Sequence, residues 1–325
     1  MKLIHDPYFQ HFSKDVIDEF ERTAIKLSNL SVVHSKNPLL SDLIFKFHRR
    51  FPYKGKMVLD GEEDYFSILM GIWYLAKTYP YFLKARRRSV YLFDAWFSAH
   101  DVIERLTRVI DFDTIFFSSH QAKHIFEEKE VPCKCVWVPE GLNPEDYYLY
   151  DYDKKDIEVL NFGRKWDWYH DLIRDGLERN GITYLYEKKW FNVIFKTHEE
   201  FKRGLARSKI SICFPKNISH PEIAGSISTM TNRYLQSMVS KCLIVGLMPD
   251  EMKLLFDYTP IIEIDKKNPA KQLLDILANY EDYIPLIEKN YQVVREHHTW
   301  EQRWLTISGH LGMACDKSIL TQPRG

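Results

Sequence analysis

Residues 214–249 read FPKNISHPEIAGSISTMTNRYLQSMVSKCLIVGLMP. The stretch leaves the end of an apolar strand, Lys209 to Phe214, and crosses a polar loop containing Gly225. It then opens a helix at Ser228-Thr229 and ends in a second apolar strand, Cys242-Leu243-Ile244-Val245-Gly246. Strand, small-residue loop and helix start together make an anion site, because free backbone N–H groups and the positive end of the helix dipole point into the loop. Phosphate is the natural guest of such a site.

Outward from this stretch the same alternation repeats. On its amino side, Ile157 to Phe162 reads as a strand, Gly163 as a turn, Trp168 to Glu178 as a helix and Ile182 to Tyr186 as a strand. Thr197 with Glu200 three residues on reads as a capping-box start for a helix to Ser208. On its carboxyl side come a short helix, the strand Ile261 to Asp265, a long helix from Pro269 to His297 and a final helix from about Thr299. Short apolar strands alternating with helices signal a parallel sheet covered on both faces.

A separate alternation precedes it. Ser89 to Asp94, Thr114 to Phe117 and Cys135 to Val138 read as strands, with helices over 99–109 and 121–129 between them. Earlier still, an irregular start leads into a helix through Val16, Phe20, Ala24 and Leu27. Ser31 to Ser35 and 55–61 read as strands around a basic helical segment over 43–50, and Tyr65 to Leu83 reads as one long aromatic-rich helix closed by Arg86, Arg87 and Arg88. Pro139 to Asp156, rich in turn formers and charge, interrupts the periodicity as a hinge would. The expectation is two doubly wound α/β domains, 1–150 and 151–298. Residues 299–325 supply a C-terminal helix and tail that could cross back to the first domain. A ligand cleft between the carboxyl ends of the two sheets is the expected site.

Composition limits the partners. At 325 residues there is chain enough for two cores. Lysine plus arginine equals aspartate plus glutamate at 45 each, so no net charge recruits nucleic acid. The five cysteines, Cys133, Cys135, Cys213, Cys242 and Cys315, are odd in number and mostly sit beside apolar runs, which suits reduced thiols. Cys133-x-Cys135 has no second ligand pair at zinc-site spacing, so no metal is expected. The charged start MKLIHD and the lack of any run of about 18 apolar residues point to a soluble, cytoplasmic protein. There is no G-x-G-x-x-G, P-loop or G-x-S-x-G pattern, which disfavours dinucleotide enzymes, P-loop NTPases and serine hydrolases.

Several short motifs, in order, carry a resemblance. Asp113 to Ser119 followed by a helix and then Trp137-Val138-Pro139-Glu140-Gly141-Leu142 resembles the close of the acceptor domain in GT-B glycosyltransferases. Leu160-Asn161-Phe162-Gly163-Arg164 resembles the strand and glycine turn opening their nucleotide-sugar domain. Thr231-Asn232-Arg233-Tyr234-Leu235-Gln236 with Cys242 to Gly246 resembles the donor helix and strand of the family 4 and CgeB-like members, and His298-Thr299-Trp300-Glu301-Gln302-Arg303 their H-T-W-x-x-R ending. The resemblance spans about residues 90–305. It implies two Rossmann-like domains facing across a cleft and a retaining transfer from a nucleotide diphosphate sugar to a glycan or lipid-linked acceptor. No metal or other cofactor is implied, and surface polysaccharide synthesis is the implied setting. Two glutamates that the group usually carries eight positions apart fall here on Ser228 and Gln236.

Leaving-diphosphate charge is neutralised without a metal by helix N-termini and cationic side chains. The expected donor set is therefore Gly163, Arg164, Lys165, Ser228, Thr229, Thr231, Arg233 and Gln236, with Glu222 as a substitute acid. Arg164 and Lys165 could instead be surface charges, and Arg233 could instead pair with Glu222 or Asp250. Trp166 and Trp168 could stack on a base or a sugar. In the first domain Asp94, at a strand end, and His100 with Asp101, at a helix start, are the candidates for activating the acceptor, against a capping role. His34 is a weaker candidate, and His120 with His124 form a possible ligand pair lacking a third member. The run 86–88 could touch an anionic membrane or be a solvated helix end. A nucleotide-sugar epimerase and a catalytically inactive sugar-nucleotide or glycan-binding protein are the competing functions.

Overall fold

The structure is a computed structural model that describes residues 1–7, 9, 13–35, 42–43, 46–47, 50, 58–187 and 194–316. It divides into two compact units, Met1–Glu140 with Ile223–Ile227 and Trp300–Gly325, and Gly141–Glu222 with Ser228–Thr299. Against the expected boundary at 150, the division falls at Glu140/Gly141. Of the expected helix over 43–50 only 43, 46, 47 and 50 are among the described residues, and of the expected strand over 55–61 residues 58–61 are, with Leu59 opening β3.

In the first unit the elements are β1 (Lys2–His5), α1 (Lys14–Ser28), β2 (Ser31–His34), β3 (Leu59–Leu69), α2 (Leu75–Leu83), β4 (Lys84–Leu92), α3 (His100–Ile110), β5 (Thr114–Phe117), α4 (His120–Glu128) and β6 (Lys134–Trp137). All strand pairs are parallel, in the order β2-β1-β3-β4-β5-β6. The strands of such a sheet are buried on both faces, which is why Thr114-Ile115-Phe116-Phe117 is uninterrupted by charge. One face packs under α2, α3 and α4 through residues such as Leu75, Leu106 and Phe126. Against the other lie α1 and a late helix, α13 (Trp300–Leu311), where Trp300 stacks on Phe20 at 4.2 Å and Trp304 donates to Ser28 Oγ at 2.9 Å.

Three readings are corrected here. The long helix over 65–83 is strand β3 followed by α2, and the break is Gly71, whose φ of 147° suits glycine. Aromatics at Tyr65 and Phe66 fit a helical period locally, but the register Tyr65↔Arg88 to Leu69↔Leu92 makes them sheet. The arginine run therefore lies in β4 and not at a helix end. Arg86 forks onto both carboxylate oxygens of buried Asp64 at 2.7 Å, and Arg87 joins at 2.7 Å. Arg88 is buried and donates to the carbonyls of Phe82, Ala85 and Leu59. The irregular start of the chain is in fact strand β1.

The second unit runs β7 (Ile157–Asn161), α5 (Asp167–Arg179), β8 (Tyr184–Tyr186), α6 (His198–Ala206), β9 (Ser208–Cys213), α7 (Lys216–Ser219), α8 (Pro221–Ala224), α9 (Asn232–Val239), β10 (Leu243–Gly246), α10 (Met252–Leu255), β11 (Ile262–Glu263), α11 (Pro269–Ala278) and α12 (Ile284–His297). Of these, Ala224 and its neighbours belong to the first unit. Thr197 caps α6 by accepting from Glu200 N at 3.1 Å. The helix expected over 269–297 is two helices, parted by a 3₁₀ turn at Tyr280–Tyr283, with Pro285 in the first turn of α12, where its missing N–H costs nothing. The sheet is again fully parallel, β11-β10-β9-β7-β8.

Both sheets therefore follow one plan, in which the second strand lies on one side of the first and the rest build out on the other. Strand order reverses between β1 and β3 in the first unit and between β7 and β9 in the second. In open α/β sheets such switch points are where the carboxyl strand ends diverge and ligands lodge. Among the described residues no helix is long and apolar enough to cross a membrane.

Candidate functional site

At the switch point of the second unit, the chain leaves β7 through Phe162-Gly163-Arg164-Lys165. Gly163 has φ 67°, and a Cβ there would stand 2.6 Å from Nη2 of Arg233. Only glycine leaves room for that guanidinium. Arg233 is the second residue of α9 and is 8% exposed. Its Nη1 donates to the Arg164 carbonyl at 2.8 Å, and its guanidinium carbon lies 5.3 Å from the Phe162 ring centroid.

Arg164 carries a buried Nε with no hydrogen-bond partner. Among the described residues neither arginine forms an ion pair with a carboxylate, so the pairing of Arg233 with Glu222 or Asp250 is not found; Asp250 meets Lys253 instead. Burial pushes the Arg233 guanidinium down to about 10, and the Arg164 charge pushes the same way. Burial also lowers His220, in the loop after β9, and the next contribution is again Arg164, with Lys216 and Arg233 adding to it. Basic side chains from the end of β7, the loop after β9 and the first turn of α9 thus converge, with His220 held towards its neutral form. Glu187 acts on Arg233 and Glu222 on His220 in the opposite sense, but neither forms an ion pair with Arg233 or Arg164 among the described residues, and a buried guanidinium such as that of Arg233 is costly unless an anion completes it.

The remaining expected donor residues divide. Lys165 lies 3.2 Å from Asp167 Oδ1 and 5.7 Å from the Tyr186 ring centroid, and its side chain is 19% exposed. Ser228 and Thr229 are not the helix start: α9 begins at Asn232 with Thr231 as N-cap, and Thr231 makes no side-chain cap bond. The Ser228 hydroxyl accepts from Asp250 N at 3.0 Å, and Thr229 Oγ1 donates to Glu251, which also accepts from Met230 N at 2.8 Å. Both hydroxyls are buried in that loop clamp. Gln236 Nε2 donates to the Tyr147 hydroxyl at 3.2 Å, and Glu222 is exposed in the first turn of α8. Trp166 packs on Phe214 and Trp168, while Trp168 itself is 42% exposed.

In the first unit Asp94 lies two residues past β4, in the left-handed region at φ 45°. It acts with Asp6 on Tyr74, whose hydroxyl burial pushes up first. His100 is corrected to a core role: it is 4% exposed, its Nε2 sits 3.1 Å from the Ala95 carbonyl, its ring packs on Phe97 and Phe126, and burial lowers it. Asp101 is an exposed acid in the first turn of α3, the position a helix dipole favours. His34 is exposed, and the Nε2 atoms of His120 and His124 meet at 3.0 Å on the outer turn of α4.

His220, Lys216 and Glu251 escaped the sequence reading. Their signal was weak: a histidine beside Pro221 and an acid after Pro249-Asp250 look like ordinary loop residues until β9 and β10 set their loops beside Arg164 and Ser228.

The two fully parallel α/β units define a GT-B type of fold. Anabaena Alr3699/HepE, solved with UDP and glucose, superposes with a TM-score of 0.60 at 9% identity, over 95% of this chain and 98% of that one. Sucrose-phosphate synthase of Thermosynechococcus elongatus superposes with a TM-score of 0.56 at 10% identity, over 96% of this chain and 97% of that one. No protein-family profile matches the chain, and no curated protein matches it in sequence.

Proposed function

We propose that this protein is a glycosyltransferase that takes a sugar from a nucleotide diphosphate sugar and passes it to a glycan or lipid-linked acceptor, in the manner of the family 4 and CgeB-like enzymes. The observation that carries the reading is the pair Arg164 and Arg233 at the β7/β9 switch point, the first half-buried with its Nε buried and the second buried, neither in an ion pair with a carboxylate among the described residues. A diphosphate supplies the missing charge, and the departing diphosphate gains most from it, so the arginines favour the transition state over the bound donor. Arg164, Arg233 and His220 hold the phosphates, Lys165 stands beside them, and Gln236 offers the ribose an amide. Transfer proceeds by this charge neutralisation without a metal at the donor, with retention as the resemblance implies and with surface polysaccharide as the product class. HepE, whose fold this chain shares, binds UDP and glucose, and this supports a uridine donor.

The reading places the protein in the cytoplasm. Arg86 and Arg87 keep partly exposed guanidiniums for an anionic bilayer, although both are tied to Asp64. A second reading, a sugar-nucleotide binder without turnover, is favoured by Ser228, whose hydroxyl is engaged by Asp250 N where the family has an acid.

A thermal-shift screen of UDP, GDP, ADP, CMP and their sugars tests the proposal, since a ligand at 100 times its Kd adds about 2.7 kcal/mol to the folded state. A folded protein stabilised by none of them would end it. Stabilisation by a donor that is neither hydrolysed nor transferred over a panel of glycan and lipid acceptors selects the binding protein. Conversion of the donor sugar without acceptor selects the epimerase.

A further inference from the structure

The first unit has its own switch point, between β1 and β3, and a small crevice of about 20 Å³, room for a single water or ion, opens there. His5, the last residue of β1, and Asp6 line it from one strand end, and Met70, just past β3, lines it from the other. Asp18 and Glu21, three residues apart and so on one face of α1, close it from above. One ligand atom from each of His5, Asp18 and Glu21 lies within 4.8 Å of the others.

We infer that this triad is a binding site for a divalent transition-metal ion. His5 Nδ1 and Glu21 Oε2 already stand 2.6 Å apart, with a proton between them that a metal ion can replace. A tetrahedral ion with bonds of about 2.05 Å separates its ligands by about 3.3 Å, so the pair opens by about 0.7 Å while Asp18 swings in. One imidazole and two carboxylates are the donor set of zinc-class ions and not of a hard, oxygen-seeking ion such as Mg2+.

Charge favours a cation here. Asp18 acts on both His5 and Glu21 and Asp6 acts on Glu21, with Lys14 the cation that opposes them at His5. The ligands come from a central strand and a packed helix, which hold geometry better than loops do. Three protein ligands leave a position facing the crevice for water or for a hydroxyl or carboxylate oxygen of a bound molecule. The inference stands apart from the donor-site reading, since every residue in it belongs to the first unit.

The test is calorimetric titration of the chelator-treated full chain with ZnCl2, with CoCl2 absorption as a second readout. The expected result is one saturable equivalent, a visible Co2+ d–d band, and a melting temperature raised by about 5 °C at saturation. The double variant His120→Ala/His124→Ala keeps this equivalent. Asp18→Asn, at the half-exposed rim, and His5→Gln each weaken it by roughly tenfold to 100-fold. Circular dichroism verifies that both variants are folded. Absence of saturable Zn2+ binding in the wild-type chain overturns the inference. So does binding that disappears with His120 and His124, or binding unchanged in folded Asp18→Asn.

Discussion

Replacing Arg233 by methionine separates its two roles. Displacement of its guanidinium from the ordinary arginine value to about 10 corresponds to roughly 3 kcal/mol of unfavourable burial. Against this stand its hydrogen bond to the Arg164 carbonyl, about 1 kcal/mol, and its contact with the Phe162 ring, about 1–2 kcal/mol. The terms nearly cancel, so Arg233→Met leaves the ligand-free protein within about 1 kcal/mol of wild type, a change of a few degrees in melting temperature. Its effect on ligand is the reverse. One charge-assisted hydrogen bond is worth about 1.5–3 kcal/mol, so the nucleoside diphosphate binds roughly 10-fold to 150-fold more weakly, while the nucleoside alone is unaffected. Calorimetry with both ligands, beside differential scanning calorimetry of the free protein, reads the two quantities. A ligand-free variant melting more than about 10 °C below wild type would make Arg233 a structural cation. Diphosphate affinity within threefold of wild type would remove it from the phosphate site.

Three further outcomes follow from the same geometry. Gly163→Ala imposes about 1–2 kcal/mol of left-handed strain and drives a Cβ into Arg233; urea denaturation should show the loss, and diphosphate affinity should fall with it, whereas an unchanged affinity contradicts the packing argument. Asp64 is held well below the ordinary carboxylate range first by Arg86, so its contribution is complete above about pH 4 and disappears as pH falls towards its folded value. The stability gap between wild type and Asp64→Asn, measured in urea, should therefore narrow from pH 7 to pH 3, and a constant gap would refute the assignment. Lys155, 3% exposed, donates to the carbonyls of Ala206, Ser208 and Ser240. Lys155→Met orphans three acceptors and should cost at least about 3 kcal/mol in chemical denaturation; a loss below about 1 kcal/mol would show that the carbonyls find other donors.

Much of the sheet was legible because parallel strands covered on both faces must be apolar throughout. Thr114 to Phe117 coincides with β5, and Ile157 to Phe162 exceeds β7 by one residue. Where a strand is only half buried the signal failed: Leu59 to Asp64 is mostly polar, so the apolar half of β3 looked like the start of the helix after it. Lys2–His5 is too short for a period to show. The start of α9 was misplaced because Ser228, Thr229 and Thr231 are all acceptable caps locally. Glu251 decides among them by taking the Thr229 hydroxyl and the Met230 amide into its own bonds.

The alternation of strand and helix, and the presence of Arg164 and Arg233 beside a glycine turn and a helix start, follow from local period and residue type. Fold topology brings those two residues together. Sixty-nine positions separate the two arginines, and they meet because β9 lies against β7 and because Gly163 has no side chain to keep Arg233 out. The same holds for His5 and Glu21, joined at the other switch point. Strand order sets which loop ends are neighbours, and a local pattern carries no information about strand order.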